Sequence, residues 1–214
     1  MHKQKVIAYI DGFNLFYGSL KGTKNKWLDI VSLCESLLKP DQELIAVKYF
    51  SAIVSSSKGD ASRSDKQRIY QEALQINPKL SIKLGYFSIH KTKMPLASDW
   101  VNNKITPVEV IKTEEKGSDV NLAVQMAVDA VRGDFDYAML FSNDSDMAFS
   151  VQIAVKECCK KVGLYIDAKA ISHNVLKENT CYIRKLTGSF LAKHQFPDKI
   201  TTSTGRILSK PKGW

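Results

Sequence analysis

The 214-residue chain carries 31 lysines and arginines against 22 acidic residues, a formal charge of +9. With 44% hydrophobic residues it is too apolar for a disordered chain and long enough for one substantial domain; its basic balance favours polyanionic partners, whose neutralised phosphates release counterions. No window approaches the roughly 18 apolar residues of a membrane span, and MHKQKVIAYIDGF lacks the long apolar core and small-residue cleavage site of a secretory signal.

In chain order, VIAYI (6–10) is an unbroken β-branched and aromatic run closed by Asp11-Gly12, which reads as a strand buried on both faces. From Asp29 to Leu38, apolar residues fall near helical spacing until Pro40 stops them. LIAVKYFSAIV (44–54) reads as a second strand and 55–59 as a polar loop. A charged helix over 60–76 ends at Asn77-Pro78, and 80–89 gives a third strand. Residues 91–107 hold two prolines and no clean period, so they read as a loop or short hairpin before a strand at 108–112. Ser118 opens a strong helix with Val120, Ala123, Val124, Ala127, Val128 and Val131 on one side, ended by Gly133. YAMLF (137–141) is again a buried strand, 147–161 a helix and VGLYI (162–166) a strand. Short elements follow at 172–178, 182–186 and 189–193. After Phe196 the chain loses apolar content and reads as a basic flexible tail, either a phosphate-binding appendage or a solvated terminus. Alternating strands and helices predict an α/β fold with a mainly parallel sheet between helices.

Cys34, Cys158, Cys159 and Cys181 form no Cys-x-x-Cys and no paired framework, as expected of reduced thiols in a cytoplasmic protein. The four histidines are scattered without zinc-ligand spacing. No G-x-G-x-x-G follows VIAYI, which argues against a dinucleotide site. Asp11-Gly12-Phe13 is not the Asp-x-Asp expected of a nucleophilic phosphatase.

The acids are the informative residues. Ligands of an open parallel sheet bind outside the carboxyl ends of its strands, where Asp11 follows VIAYI and Asp144 and Asp146 follow YAMLF. Asp119 lies in the first turn of the helix from Ser118. Each has an ordinary reading: a turn pair, a helix cap, a dipole partner. Together at one sheet edge they would repel unless a cation held them, and hard oxygen ligands suit Mg²⁺ or Mn²⁺.

The segments IDGFNL, EEKGSDVNLAVQMAVDA and FDYAMLFSNDSDM resemble, in order and spacing from Val6 to about Ile166, the NYN domain, the LabA-like branch of the PIN-like nuclease superfamily. The resemblance implies a three-layer α/β/α PIN-like fold over 1–196, with 197–214 as the tail, and a metal-dependent ribonuclease acting on RNA phosphodiesters. It implies Mg²⁺ or Mn²⁺ held by Asp11, Asp119 and Asp144, with Asn14 orienting a carboxylate or contacting phosphate and Asp146 as a ligand or positioning group. Ser142 reads as a positioning hydroxyl and Glu115 as a further candidate. Two basic clusters would meet the RNA backbone: Lys21, Lys24 and Lys26 with Trp27, either stacking surface or core, and Lys58, Arg63, Lys66 and Arg68. The chain departs from the family pattern at Asn143 for glycine, Met147 for phenylalanine and Gln125 for an aspartate. Gln125 keeps open a non-catalytic domain that binds RNA or protein, and a second copy or a protein partner is left open as well.

Overall fold

The computed structural model describes residues 3–53, 61–98 and 107–214. Its centre is a seven-stranded sheet of β1 (Gln4–Asp11), β2 (Gln42–Ala52), β3 (Leu80–Pro95), β4 (Pro107–Lys116), β5 (Tyr137–Phe141), β6 (Lys161–Asp167) and β7 (Tyr182–Leu186), in spatial order β4-β3-β2-β1-β5-β6-β7. All neighbours are parallel except β3 and β4. The order reverses between β1 and β5, which makes the carboxyl ends of these two strands the switch point of the sheet.

The two-residue period of β1 sorts its side chains between two cores. Val6, Ala8 and Ile10 join Trp27, Ile30 and Leu33 on one face. Ile7 and Tyr9 join Leu122, Met126, Phe135 and Val151 on the other. The first face is covered by α1 (Gly12–Leu15, continued by a π-helical segment Phe16–Leu20), α2 (Ile30–Ser36) and α3 (Ala61–Leu74). The second is covered by α4 (Ser118–Arg132), α5 (Ala148–Gln152) and α6 (Asn174–Asn179). A last helix, α7 (Gly188–Ala192), precedes a hairpin of β8 (Lys199–Thr201) and β9 (Ile207–Ser209). The α/β class and helix-flanked, mainly parallel sheet agree with the sequence reading. No helix among the described residues is long and apolar enough to cross a membrane.

Three expectations are corrected. Of the loop or short hairpin expected over 91–107, the structure shows the arm of a long hairpin: β3 runs on to Pro95 and pairs antiparallel with β4 from Tyr86↔Lys116 to Pro95↔Pro107, while 99–106, like the polar loop expected at 55–59, lie outside the described residues. The reason is exposure, since an arm with mostly solvated faces needs no apolar alternation. The helix expected over 147–161 splits into a 3₁₀ turn (Ser145–Met147), α5 and a π turn (Ile153–Glu157). The flexible tail is a packed hairpin: Leu208 is buried and Trp214 meets Trp27 and Tyr70 edge-to-face, with centroids 6.4 and 5.5 Å apart.

Candidate active site at the switch point

Asp11 ends β1 and caps α1: its Oδ1 accepts from the Asn14 N–H at 2.9 Å, and its Oδ2 accepts from the Ser142 hydroxyl at 2.9 Å. Ser142 in turn accepts from the Asp144 N–H at 3.1 Å, and Asn143 N–H donates to Asn14 Oδ1 at 3.2 Å. The turns after β1 and β5 are therefore stitched together at the point where the sheet reverses. Asp144 caps the following 3₁₀ turn, its Oδ1 accepting from Asp146 N–H at 2.9 Å. Asp11 is 4% exposed. Burial pushes its carboxyl above the usual range, the Asn14, Ser142 and Phe13 donors pull it back, and Asp144 adds to the rise.

Asp119 comes from α4, on the face of the sheet that also carries Tyr9. The start of that helix is held by Glu115, whose Oε1 accepts from Ser118 N–H at 3.0 Å. Gly85 of β3 makes room for this junction, since a Cβ there would stand 2.5 Å from Glu115 Oε1 and closer still to the Lys116 carbonyl. The half-buried Asp119 carboxyl is pushed up to about 6, first by burial and then by the charges of Asp11, Asp144, Glu115 and Asp146. Five acids thus share one electrostatic neighbourhood. None has a lysine or arginine ion-pair partner among the described residues.

That donor set fits a hard divalent cation: carboxylate oxygens in mutual repulsion with no basic side chain to neutralise them. Asn143 Oδ1, next in sequence to Asp144, is a further buried oxygen without a hydrogen-bond donor. Among the described residues no three of the acids stand in chelating geometry, and Asp11 and Asp144 each use an oxygen as a cap.

The other singled-out residues separate into two groups. Gln125 and Asp129 take no part in the cluster. Asp129, 1% exposed, lies ten residues along α4 from Asp119, about 15 Å of helix rise. It accepts from Tyr9 Oη and Lys48 Nζ at 2.6 Å each and from Gln125 Nε2 at 2.8 Å. The basic residues of the two sequence clusters meet: Lys21 and Lys26 line one cavity together with Arg63 and Lys66. Lys24 and Arg68 are exposed and do not line it, and Lys58 lies outside the described residues. Trp27 is core, fully buried, its indole donating to Pro197 O at 2.8 Å. The sequence reading passed over Asp167, which ends β6 and accepts from Ser19 Oγ at 3.2 Å in a small recess shared with Asn14. Its signal was the same as that of Asp11, an acid directly after a buried apolar run.

The NYN domain family matches residues 5–185. The 6-hydroxy-3-succinoylpyridine 3-monooxygenase HspA of Pseudomonas putida is 29% identical over 232 aligned positions, covering 96% of this chain and 74% of that protein. The crystal structure of a Vibrio parahaemolyticus protein of unknown function has the same fold, with a TM-score of 0.56 at 18% identity, over 86% of this chain and 94% of that one. The family match spans most of the chain and the whole of the acid-bearing sheet edge: the chain belongs to the NYN domain family, part of the PIN-like nuclease superfamily.

Proposed function

We propose that the chain is a metal-dependent ribonuclease of the LabA-like kind, with Asp11, Asp119 and Asp144 as the residues that hold Mg²⁺ or Mn²⁺. The observation that carries this reading is the junction of the turns after β1 and β5, where Ser142 joins the Asp11 carboxylate to the Asp144 N–H, with Asp119 close enough for their charges to push its carboxyl up. When bound, the ion supplies a water of lowered pKa and neutralises charge on the departing oxygen. The chain's own residues do the rest. Ser142 fixes the Asp11 carboxylate through its hydroxyl. It is a positioning group and not a nucleophile, because its hydrogen bonds run to Asp11 and the Asp144 N–H and include no histidine base. Asn14 is held through its Oδ1 by Asn143 N–H, which leaves its amide to contact a phosphate oxygen. Asp146, exposed beside Asp144, is a further ligand or positions Asp144, its N–H donating to Asp144 Oδ1 at 2.9 Å. RNA as the substrate follows from the family resemblance.

The test is cleavage of a labelled structured RNA and a matched single strand in Mn²⁺ or Mg²⁺ against EDTA, beside Asp11→Asn and Asp144→Asn proteins. Metal-dependent cutting lost in both variants supports the reading. Retained RNA binding without cutting by the wild type would favour a binding-only domain. Gln125 was the sequence feature behind that alternative, and its amide is committed to Asp129 at 2.8 Å.

The Pseudomonas putida relative, whose name describes monooxygenation of a substituted pyridine, gives a second reading. The observation favouring it is the aromatic-walled cavity beside α1, of about 430 Å³, which has room for such a ring. Oxygen consumption with a pyridine acid as substrate separates this reading from hydrolysis.

A further inference from the structure

The cavity beside α1 lies outside the acid cluster yet adjoins it, because Gly12, the residue after Asp11, forms part of its wall. Its volume of about 430 Å³ is within the range of small-ligand sites. Phe13, Tyr17 and Lys21 recur every four residues along α1 and its π-helical continuation, so they share one side. The Phe13 and Tyr17 rings stack with centroids 6.4 Å apart, and Lys21 Nζ lies 4.8 Å over the Tyr17 ring. Tyr17 is 59% exposed, so its ring is open to a ligand. π-Helical turns such as the one carrying it are rare and frequently functional.

The opposite wall is tied by hydrogen bonds and ring contacts. Tyr70 donates its hydroxyl to Leu28 O at 2.8 Å and meets Trp214 edge-to-face at 5.5 Å. Lys26 Nζ holds the last turn of the chain through Gly213 O at 3.3 Å. Beneath, Tyr49 closes against Gly12, where a Cβ would come 2.5 Å from the Tyr49 hydroxyl oxygen and 2.8 Å from Phe50 O. Lys66 of α3 stands on the same cavity, and neither it nor Lys21 has a carboxylate partner among the described residues. Aromatic faces that stack a base, beside cations that meet a phosphate, are the components of a single-stranded nucleic-acid site.

We propose that this cavity binds one nucleotide of single-stranded RNA, its base against Tyr17 and Phe13 and its phosphate at Lys21 and Lys66, so that the neighbouring phosphodiester lies over Asp11. The role in cleavage rests on the nuclease reading; the binding does not. The intact protein, in EDTA, is titrated calorimetrically with adenosine 5′-monophosphate, uridine 5′-monophosphate, adenosine and nicotinate. Both nucleotides are expected to bind, with adenosine about tenfold weaker or more. Tyr17→Ala and Lys66→Ala, both outside the core, should each weaken nucleotide binding about tenfold with an unchanged urea midpoint. Nucleotide binding indifferent to Tyr17→Ala and Lys66→Ala, or nicotinate bound where the nucleotides are not, overturns the proposal. Metal-dependent cleavage without nucleotide binding removes the cavity site and keeps the nuclease. Tyr17-dependent nucleotide binding without cleavage does the reverse.

Discussion

Replacing Asp119 by asparagine should stabilise the metal-free protein at neutral pH while removing its response to Mg²⁺. The carboxyl is raised from the usual 3.8 to about 6. A rise of about 2 pH units corresponds to roughly 3 kcal/mol at about 1.4 kcal/mol per unit. Asp119 is only half-buried, so solvent screening leaves roughly 1–2 kcal/mol. The opposing effect is the loss of a negative charge from the first turn of α4, worth about 0.3–1 kcal/mol. Repulsion and desolvation win, and the net gain is on the order of 1 kcal/mol. The sign with pH follows from the direction of the shift. A carboxyl that titrates higher in the folded than in the unfolded state contributes its stabilisation fully below about pH 3.8 and loses it as pH rises through about 6. Urea denaturation of both proteins in EDTA, from pH 4 to 7.5, should give curves that converge at the acid end, separate between about pH 4 and 6, and stay apart above it, with the wild type lower. Millimolar Mg²⁺ should then raise the wild type alone, as expected of a ligand bound only by the native state. An Asn variant equal to or less stable than the wild type at pH 7.5 would refute the repulsion argument.

Three other substitutions probe the surrounding structure. Gln125→Asp exchanges the amide that donates to Asp129 for a like charge one turn away, and should cost about 1–3 kcal/mol in urea without improving the Mg²⁺ response. Gly85→Ala drives a Cβ against Glu115 Oε1 and the Lys116 carbonyl. It should cost about 1–3 kcal/mol as overpacking and slow cleavage, because Glu115 holds the turn that presents Asp119; unchanged kinetics would separate the junction from the site. Leu208→Ala should lose about 2–5 kcal/mol as a buried leucine truncation, a cost that a loose C-terminal tail would not show.

What the sequence made legible follows from burial. VIAYI and YAMLF are buried on both faces, so their residues have to be continuously apolar, and the acids that follow are conspicuous. The start of α4 was legible from Ser118, but the side read as apolar was the wrong one: Val120, Val124 and Val131 are exposed, and Leu122, Met126, Asp129 and Ala130 are the buried positions. The β3–β4 arm was not, because Ile89, Ile111 and Tyr86 are exposed and no core imposes a period on it. The segment 12–20 was missed as a helix altogether. Its four-residue recurrence of Phe13, Tyr17 and Lys21 was a usable sign, blurred by Gly18 and by a π-helical continuation that a 3.6-residue period does not describe. The tail was misjudged on composition alone, although Leu208, Ile200 and Trp214 pack it on the core and Arg206 pairs with Glu72. Tyr49, Tyr70 and Trp214 are far apart in the chain, and only the fold brings them to one cavity.

The buried Asp129 network explains how a repelling acid cluster can persist in a folded protein. Acids that repel would relax if α4 could slide or tilt away from Asp11. Tyr9, two residues before Asp11 on the same face of β1, and Lys48 of β2 both bond to Asp129 Oδ2. They pin α4 to the two central strands roughly 15 Å from Asp119. A buried ion pair is a poor source of net stability but a good one of register, since breaking one partner leaves an uncompensated charge. Sliding α4 by one residue would strand Asp129 in the apolar layer formed by Leu122, Met126 and Phe135. The network therefore keeps Asp119 facing Asp11 and Asp144, and the repulsion remains available to be relieved by a cation. Lys48→Met, by this reasoning, should weaken the Mg²⁺ response although Lys48 touches none of the three acids.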